Sequence, residues 1–510
     1  MSTPSTSLLD AMPNEQAKKG SVMPVVAIAL LFGMAHMLTN GQYGFHRDEW
    51  QFLSDAQHLD WGFVPYPPLT AALEHVGLSM FGLSLVGLRV FSVLAQVMVI
   101  IASGLMARDL GGERLAQVFV AVAVGLSPLP MFQATEFQYS SFDLLWWVLI
   151  AWCVIRLLRD DEPRWWLAIG ALAGLGLQTK YSIAFGLTGV LAGVLLTDAR
   201  RYLKSGWFWA GGGVALVIFA PNLVWLVRHD FVSYHFLQGI HARDVHQGRA
   251  DGFLRDQFLL NANLFAAPVW LAGLFGYFRN RRYRMLAWMY VVPLLLFLLA
   301  QGRFYYVCGT YPMLLAMGAV MGERWLRTLK PAVRAGITVL AFIGVLAIGA
   351  YATLRIVPLA SDGPLRDFAL KHNTDLREEI GWDELVAQVA SIRDALPADQ
   401  QANLGIAVGN YGEYGAIALL GPRYHLPTPI TTVNSGWLRG PPAIKPTTLI
   451  VLGNSRERVD ELFVSCRVAG HVSNALGISN EETRYHPDIF VCGPARKSWD
   501  ELWRQGPDFG

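Results

Sequence analysis

The feature that most limits this chain is the recurrence of apolar runs. About eleven approach the roughly 17–25 apolar residues that a helix needs to cross a bilayer. They cover residues 24–39, 85–107, 115–132, 144–158, 166–177, 183–196, 207–227, 258–278, 285–300, 305–320 and 335–357. In lipid the backbone must satisfy its own polar groups, so each run is read as a helix. Composition agrees: 53% of residues are hydrophobic and 16% charged, where a soluble domain carries roughly 25% charge. A mean hydropathy of +0.34 is modest for a bundle of spans alone, so a polar portion must dilute it. The net charge of +2 points to no nucleic-acid partner.

The first run follows Lys18 and Lys19, and no small-x-small cleavage site comes after it. It is read as a retained signal anchor behind a cytoplasmic tail, 1–23. The connections 108–114, 156–164, 200–204, 279–284 and 324–334 are short and basic, which places them inside with the N-terminus. The opposite set, such as 133–141, is poor in Lys and Arg, although the 228–256 loop carries four arginines among acids and histidines. A membrane domain over 24–358 then has its first external loop at 41–84, and an odd number of spans puts 359–510 outside. Within that tail, 382–390 has helical periodicity, while 404–408 and 448–453 read as short strands ended by glycine. A small α/β domain is expected there. Of the four cysteines, Cys153 and Cys308 fall in apolar runs as packing residues. Cys466 and Cys492 lie in the tail, where spacing leaves their pairing open.

The chemistry-bearing residues gather on the external side. In the first loop, Glu49 to Leu59 forms an amphipathic stretch suited to the membrane surface. Asp48 and Glu49 open it, and capping would explain such a pair. Against capping alone stand the dense His46-Arg47 neighbourhood and the stiff Tyr66-Pro67-Pro68 return. Glu136 and Asp143 form a second acidic set at the mouth of a span, able to act as a base or hold a divalent cation. Lys180, with Tyr181, and Arg303, with Tyr305 and Tyr306, stand between apolar runs, where a cation either snorkels or meets a phosphate. Gly211-Gly212-Gly213 lies inside a run and reads as packing rather than a nucleotide loop. His235, His241 and His246 read as surface residues.

Several segments, in order, carry a family pattern. They are Arg47-Asp48-Glu49 with Ala56-x-His58-Leu59-x-Trp61-Gly62 and Pro67-Pro68-Leu69; Ser127-Pro128; Gly174 through Lys180-Tyr181-Ser182; and Pro221-Asn222-Leu223-x-Trp225 with His229-Asp230-Phe231. Further on come Gly302-x-x-Tyr305-Tyr306 with Tyr311-Pro312, then Asn410-Tyr411-Gly412-Glu413, Gly421-Pro422-Arg423, Leu426-Pro427 and Asn434-Ser435. Together they resemble the bacterial dolichyl-phosphate-mannose–protein mannosyltransferase-like proteins, glycosyltransferase family 39 in the broad sense.

The resemblance implies a polytopic α-helical membrane protein of glycosyltransferase C fold, with about 11 transmembrane helices and a small C-terminal α/β extracytoplasmic domain. It implies transfer of a sugar, with inversion, from a polyprenyl-phosphate donor to an envelope glycan, lipid or protein at the external face of the inner membrane. Asp48 takes the place of the general base, with Glu49 orienting the loop or assisting. Lys180 and Arg303, beside Tyr305 and Tyr306, face the donor phosphate. His46, Arg47, His58, Glu136 and Asp143 support the loop or the acceptor. No cofactor is certain; in members that use a divalent cation, Glu136 and Asp143 would hold it. Tyr411, Glu413 and Asn434 are candidates for acceptor contact, although a turn holding the small domain together explains the same segment. The alternative is a transporter or flippase of an anionic or lipid-linked precursor, which predicts inverted repeats that the sequence does not display.

Overall fold

The computed structural model describes residues 21–509. The Lys18-Lys19 pair and most of the expected 1–23 tail lie outside the described residues. The membrane portion runs through α1 (Met23–Thr39), α2 (Arg47–Ala56), α3 (Leu69–Phe81), α4 (Leu85–Asp109), α5 (Arg114–Gly125), α6 (Pro128–Phe132), α7 (Tyr139–Asp160) and α8 (Trp165–Leu177). It continues through α9 (Ile183–Leu196), α10 (Gly206–Arg228), α11 (Val232–His246), α12 (Phe253–Leu259), α13 (Ala267–Arg279), α14 (Arg284–Leu299), α15 (Tyr311–Arg327) and α16 (Pro331–Ile356).

Every apolar run falls on a helix, and the chain is a multi-pass membrane protein. By length and apolarity, five helical segments among the described residues suffice to cross a bilayer: α4, α7, α10, Phe304–Arg327 and α16. Two more pairs qualify only as bent units, Ile183–Leu196 with Asp198–Lys204 at 99° and Phe253–Leu259 with Leu264–Arg279 at 95°. The remaining apolar helices, α1, α5, α8 and α14, have 17, 12, 13 and 16 residues. α1 meets the lower end of the roughly 17–25 residues a crossing needs, whereas α5, α8 and α14 do not, so length alone does not reach eleven crossings among the described residues. The 115–132 run also breaks, because Pro128 starts α6 and holds Ser127 extended at φ −78°, ψ 134°. Close packing explains one glycine of the 211–213 run: a Cβ on Gly211 of α10 would stand 2.2 Å from the Trp166 carbonyl oxygen of α8.

The C-terminal part holds α17 (Gly363–His372), α18 (Trp382–Asp394), α19 (Ala398–Gln401), β1 (Leu404–Val408), α20 (Tyr411–Leu420), β2 (Thr448–Leu452), α21 (Arg456–Leu462), β3 (Arg467–His471), α22 (Glu481–Arg484), β4 (Asp488–Cys492) and α23 (Trp499–Trp503). Its sheet has the order β1-β2-β4-β3, parallel only between β1 and β2. Cys466 and Cys492 are joined as a disulfide beside β3 and β4.

One expectation is corrected here. The stretch opened by Glu49 does not lie on the membrane surface: Glu49 through Ala56 are all buried. Trp50 and Leu53 join the core of the C-terminal part beside Trp382, Ile406 and Ile417. Phe52 joins the membrane-side core with Phe63 and Tyr66. An amphipathic pattern reports a helix with two unlike faces, and here α20 covers the face that lipid was expected to cover.

Candidate active site

The site begins at the first turn of α2. His46 is the extended N-cap; its Nδ1 accepts the Asp48 backbone N–H at 3.1 Å, while Glu49 accepts the His46 N–H at 2.7 Å. This reciprocal box satisfies donors that a helix start leaves open. It also sends the two acids in different directions.

Glu49 turns inward and is fully buried. Arg89 of α4 grips it through Nε at 2.9 Å and Nη2 at 2.6 Å, and the Phe137 N–H adds a bond at 2.7 Å. Arg89 also donates to the carbonyls of Asn40 and Gly44 and reaches Glu379 at 3.4 Å. Glu49 is therefore held inside the fold and does not line the cavity that Asp48 enters. Burial first, and then the Glu49 charge against the offsetting Arg89, pushes the Glu379 carboxyl up to about 8.

Asp48 turns outward into a cavity of about 420 Å³, which it shares with His46, Gln138, Tyr139, Arg303 and Tyr305. Its Oδ1 accepts a hydrogen bond from the Tyr411 hydroxyl at 2.9 Å. Burial holds that hydroxyl protonated far above the usual tyrosine range, so Tyr411 is the donor. Arg47 stacks 4.6 Å over the Tyr411 ring and pairs with Glu481 and Glu482. Across the cavity, Arg303 is clamped by Asp244 of α11 at 2.6 and 2.9 Å, with Nη1 turned to the Tyr305 hydroxyl at 3.3 Å. One cavity thus joins an outward carboxylate to a guanidinium of fixed orientation.

A family model for dolichyl-phosphate-mannose-protein mannosyltransferase matches residues 65–225. A lipid A galacturonosyltransferase, RgtD, of Rhizobium johnstonii is 26% identical over 274 residues, covering 51% of this chain and 56% of the relative. A polyprenol-phosphate-mannose–protein mannosyltransferase of Corynebacterium glutamicum is 28% identical over 209 residues, covering 34% of this chain and 40% of the relative. The matched region thus spans about half the length of these curated relatives, 56% and 40%. The crystal structure of ArnT from Cupriavidus metallidurans bound to undecaprenyl phosphate superimposes with a TM-score of 0.54 at 16% identity, over 92% of this chain and 97% of that one. Residues 65–225 are thus similar to the mannosyltransferase family, and the chain has the glycosyltransferase C fold.

Other expected site residues find more specific places. Lys180 sits in a cage of tyrosines, its Nζ 4.7, 4.8 and 4.9 Å from the ring centres of Tyr139, Tyr305 and Tyr306. Its charge therefore lies behind the aromatic wall of the cavity, next to Ser140 Oγ at 3.5 Å. His58 is exposed and bonds only the Ser54 carbonyl of its own turn, so it is outside the site. Asn434 clamps Gln51 of α2 at 3.2 Å, and Glu413 is buried, so neither is open to an acceptor. His235, His241 and His246 are exposed.

Glu136 and Asp143 do not form a pair. Glu136 faces His46 Nδ1 at 3.3 Å and accepts from Gln138 at 2.6 Å, whereas Asp143 of α7 faces the Ser182 hydroxyl at 3.5 Å. Burial, then the charges of Glu49 and Asp48, lifts the Glu136 carboxyl well above its ordinary range, which makes it a poor cation ligand. Among the described residues no three His, Cys, Asp or Glu side chains converge as metal ligands. These residues do not fit a divalent cation, and no chemical step is assigned to one.

Of three participants not singled out in the sequence, Arg89 carried the clearest signal. Arg89 is a charge within an apolar helix, which by itself marks a site or its support. Asp244 is one of four acids that alternate with four arginines in the 228–256 loop, a weak signal. Tyr139 gave no such signal. The Asn222 and Trp225 pattern proves structural: Asn222 donates to the Trp61 carbonyl and Trp225 to Asp60, both at 2.8 Å, pinning the first loop to α10.

Proposed function

We propose that this protein transfers a sugar from a polyprenyl-phosphate-linked donor to an envelope glycan, lipid or protein, with inversion, at the external face of the cytoplasmic membrane. The observation that carries the reading is the cavity shared by Asp48 and Arg303. The donor's phosphate lies toward Arg303, with the charge of Lys180 behind Tyr139 and Tyr305. Asp48 receives the proton of an acceptor hydroxyl as its oxygen bonds to the anomeric carbon. The bond from that carbon to the phosphate oxygen breaks, and polyprenyl phosphate departs with the electron pair. The developing phosphate charge meets a guanidinium already oriented by Asp244, so little reorganisation is needed at the transition state. Tyr411 occupies Oδ1 and leaves Oδ2 for the proton.

The orientation follows the same reading: N-terminus inside, the 359–510 domain in the periplasm or its equivalent. Short basic connections on one side support it, as does the Cys466–Cys492 disulfide, a bond kept in oxidising compartments.

The test uses purified full-length protein in lipid nanodiscs with undecaprenyl-phosphate-linked sugars and envelope glycolipid fractions. The reading expects release of free undecaprenyl phosphate only when an acceptor fraction is present, and a product of inverted anomeric configuration. Release at the same rate without acceptor, or a retained configuration, contradicts it.

A further inference from the structure

A second cleft, about 630 Å³ and larger than the first, lies at the carboxyl ends of the parallel strands β1 and β2. Its floor includes Val408, Gly409 and Asn454; α11 closes one side and the Trp499–Phe509 segment another. The carboxyl edge of parallel strands is where α/β sheets receive ligands, because their loops are free to present polar groups there.

The lining mixes two chemistries. The indoles of Trp499 and Trp503 and the ring of Phe463 give rigid apolar faces; the Trp503 ring is fixed by its Nε1 bond to the Trp437 carbonyl at 2.8 Å. Beside them stand an amide at Asn454, a hydroxyl at Thr432, a carboxylate at Asp508 and guanidinium groups at Arg243 and Arg458. Acyl chains ask for no such donors and acceptors, and a bare phosphate makes no use of the aromatic faces. A sugar ring, apolar on its face and hydroxylated around its rim, matches both kinds of group.

Two covalent links tie this cleft to the reacting centre. Gly409 on its floor is two residues before Tyr411, a reach of about 7 Å at most, and Tyr411 bonds Asp48. Arg243 in its wall is followed directly by Asp244, which clamps Arg303 in the other cavity. The two cavities therefore share α11 and the β1–α20 turn.

We propose that this cleft is a saccharide site that holds the acceptor's glycan while a hydroxyl elsewhere on the acceptor reaches Asp48. The assignment rests on the transferase reading above. It places donor and acceptor on opposite sides of a shared wall, with the C-terminal domain choosing the acceptor.

Hydrogen exchange on the full-length protein in nanodiscs tests it, with two probes: lipid A, the acceptor named for the Rhizobium relative, and its deacylated glucosamine disaccharide. Both probes should slow exchange at 404–409 and 499–509. Asn454→Ala and Arg458→Ala, each on a non-core side chain, should weaken the disaccharide's affinity about tenfold, as expected for one lost polar contact. No protection at these segments by either probe overturns the site, as does unchanged affinity in both variants. Protection by lipid A confined to the membrane helices overturns it too. Donor turnover keeps the two ideas apart: protection without any sugar transfer removes the transferase reading and leaves the site, whereas transfer with a silent cleft removes the site alone.

Discussion

Tyr411 donates a hydrogen bond to Asp48 across 363 positions of sequence. The C-terminal domain thereby reaches the carboxylate assigned as the base and fixes which oxygen stays open. Removing the hydroxyl frees the carboxylate to rotate without disturbing the donor's contacts. Tyr411→Phe is expected to lower kcat about tenfold, equivalent to roughly 1.4 kcal/mol, with donor KM and melting temperature unchanged. A rise in donor KM at constant kcat would instead place Tyr411 in donor binding.

Arg89 and Glu49 form a buried ion pair that gathers the end of α1, the loop to α2, and the C-terminal domain. Arg89→Met strands a buried carboxylate and is expected to cost about 3–5 kcal/mol, read as a loss of thermal stability in nanodiscs. Arg89→Met combined with Glu49→Gln should recover part of it, because the stranded charge is gone. Equal losses in the single and double variants would deny the pair its structural role.

Much of this arrangement was legible in the chain, for identifiable reasons. Apolar runs reported the helices because lipid leaves the backbone no alternative, and Leu404–Val408 reported β1 through its short apolar content. Asp48 stood out through its neighbours and the family pattern. The burial of α2 was not legible, since amphipathicity does not say whether lipid or protein covers the apolar face. Nor was the separation of Asp48 from Glu49: a one-residue step on a helix turns a side chain by about 100°, and the inward partners Arg89 and the Phe137 N–H, remote in sequence, hold Glu49 inside. Tyr411 was read chiefly as part of a turn because its partner lies in the first loop.

Three carboxyls around Arg47 give the docked domain a pH dependence. Burial, the largest cause in each case, pushes Glu378 and Glu482 up to about 7 and Glu413 up to about 8. Below the ordinary carboxylate value both folded and unfolded chains hold these protons. Between that value and the raised one only the folded chain does, so stability falls as pH rises through this window. Melting temperature should therefore drop from about pH 5 to about pH 8 and then level off. Glu413→Gln should flatten the slope; an unchanged slope would mean that Glu413 does not hold its proton in the fold.

Burial, more than its acidic neighbours, raises the Glu136 carboxyl, which faces His46 Nδ1 at 3.3 Å. Glu136→Gln keeps the shape and removes only the charge that burial disfavours, so transfer activity should stay within about twofold of wild type, the range of a neutral hydrogen-bond exchange. Chelation with EDTA should leave turnover unaltered in both proteins. A chelator-sensitive activity restored by added magnesium or manganese would require a cation site that these side chains do not provide.

The central claim is that Asp48 removes the acceptor proton while Arg303 receives the phosphate. Its most direct test is sugar transfer by Asp48→Asn, measured together with affinity for undecaprenyl phosphate. Asparagine keeps the shape and the bond from Tyr411 but cannot take a proton. Turnover should fall by about 10²–10⁴, the range that a general base supplies, with lipid-phosphate affinity unchanged, whereas Arg303→Ala should weaken that affinity. Wild-type turnover in Asp48→Asn contradicts the account.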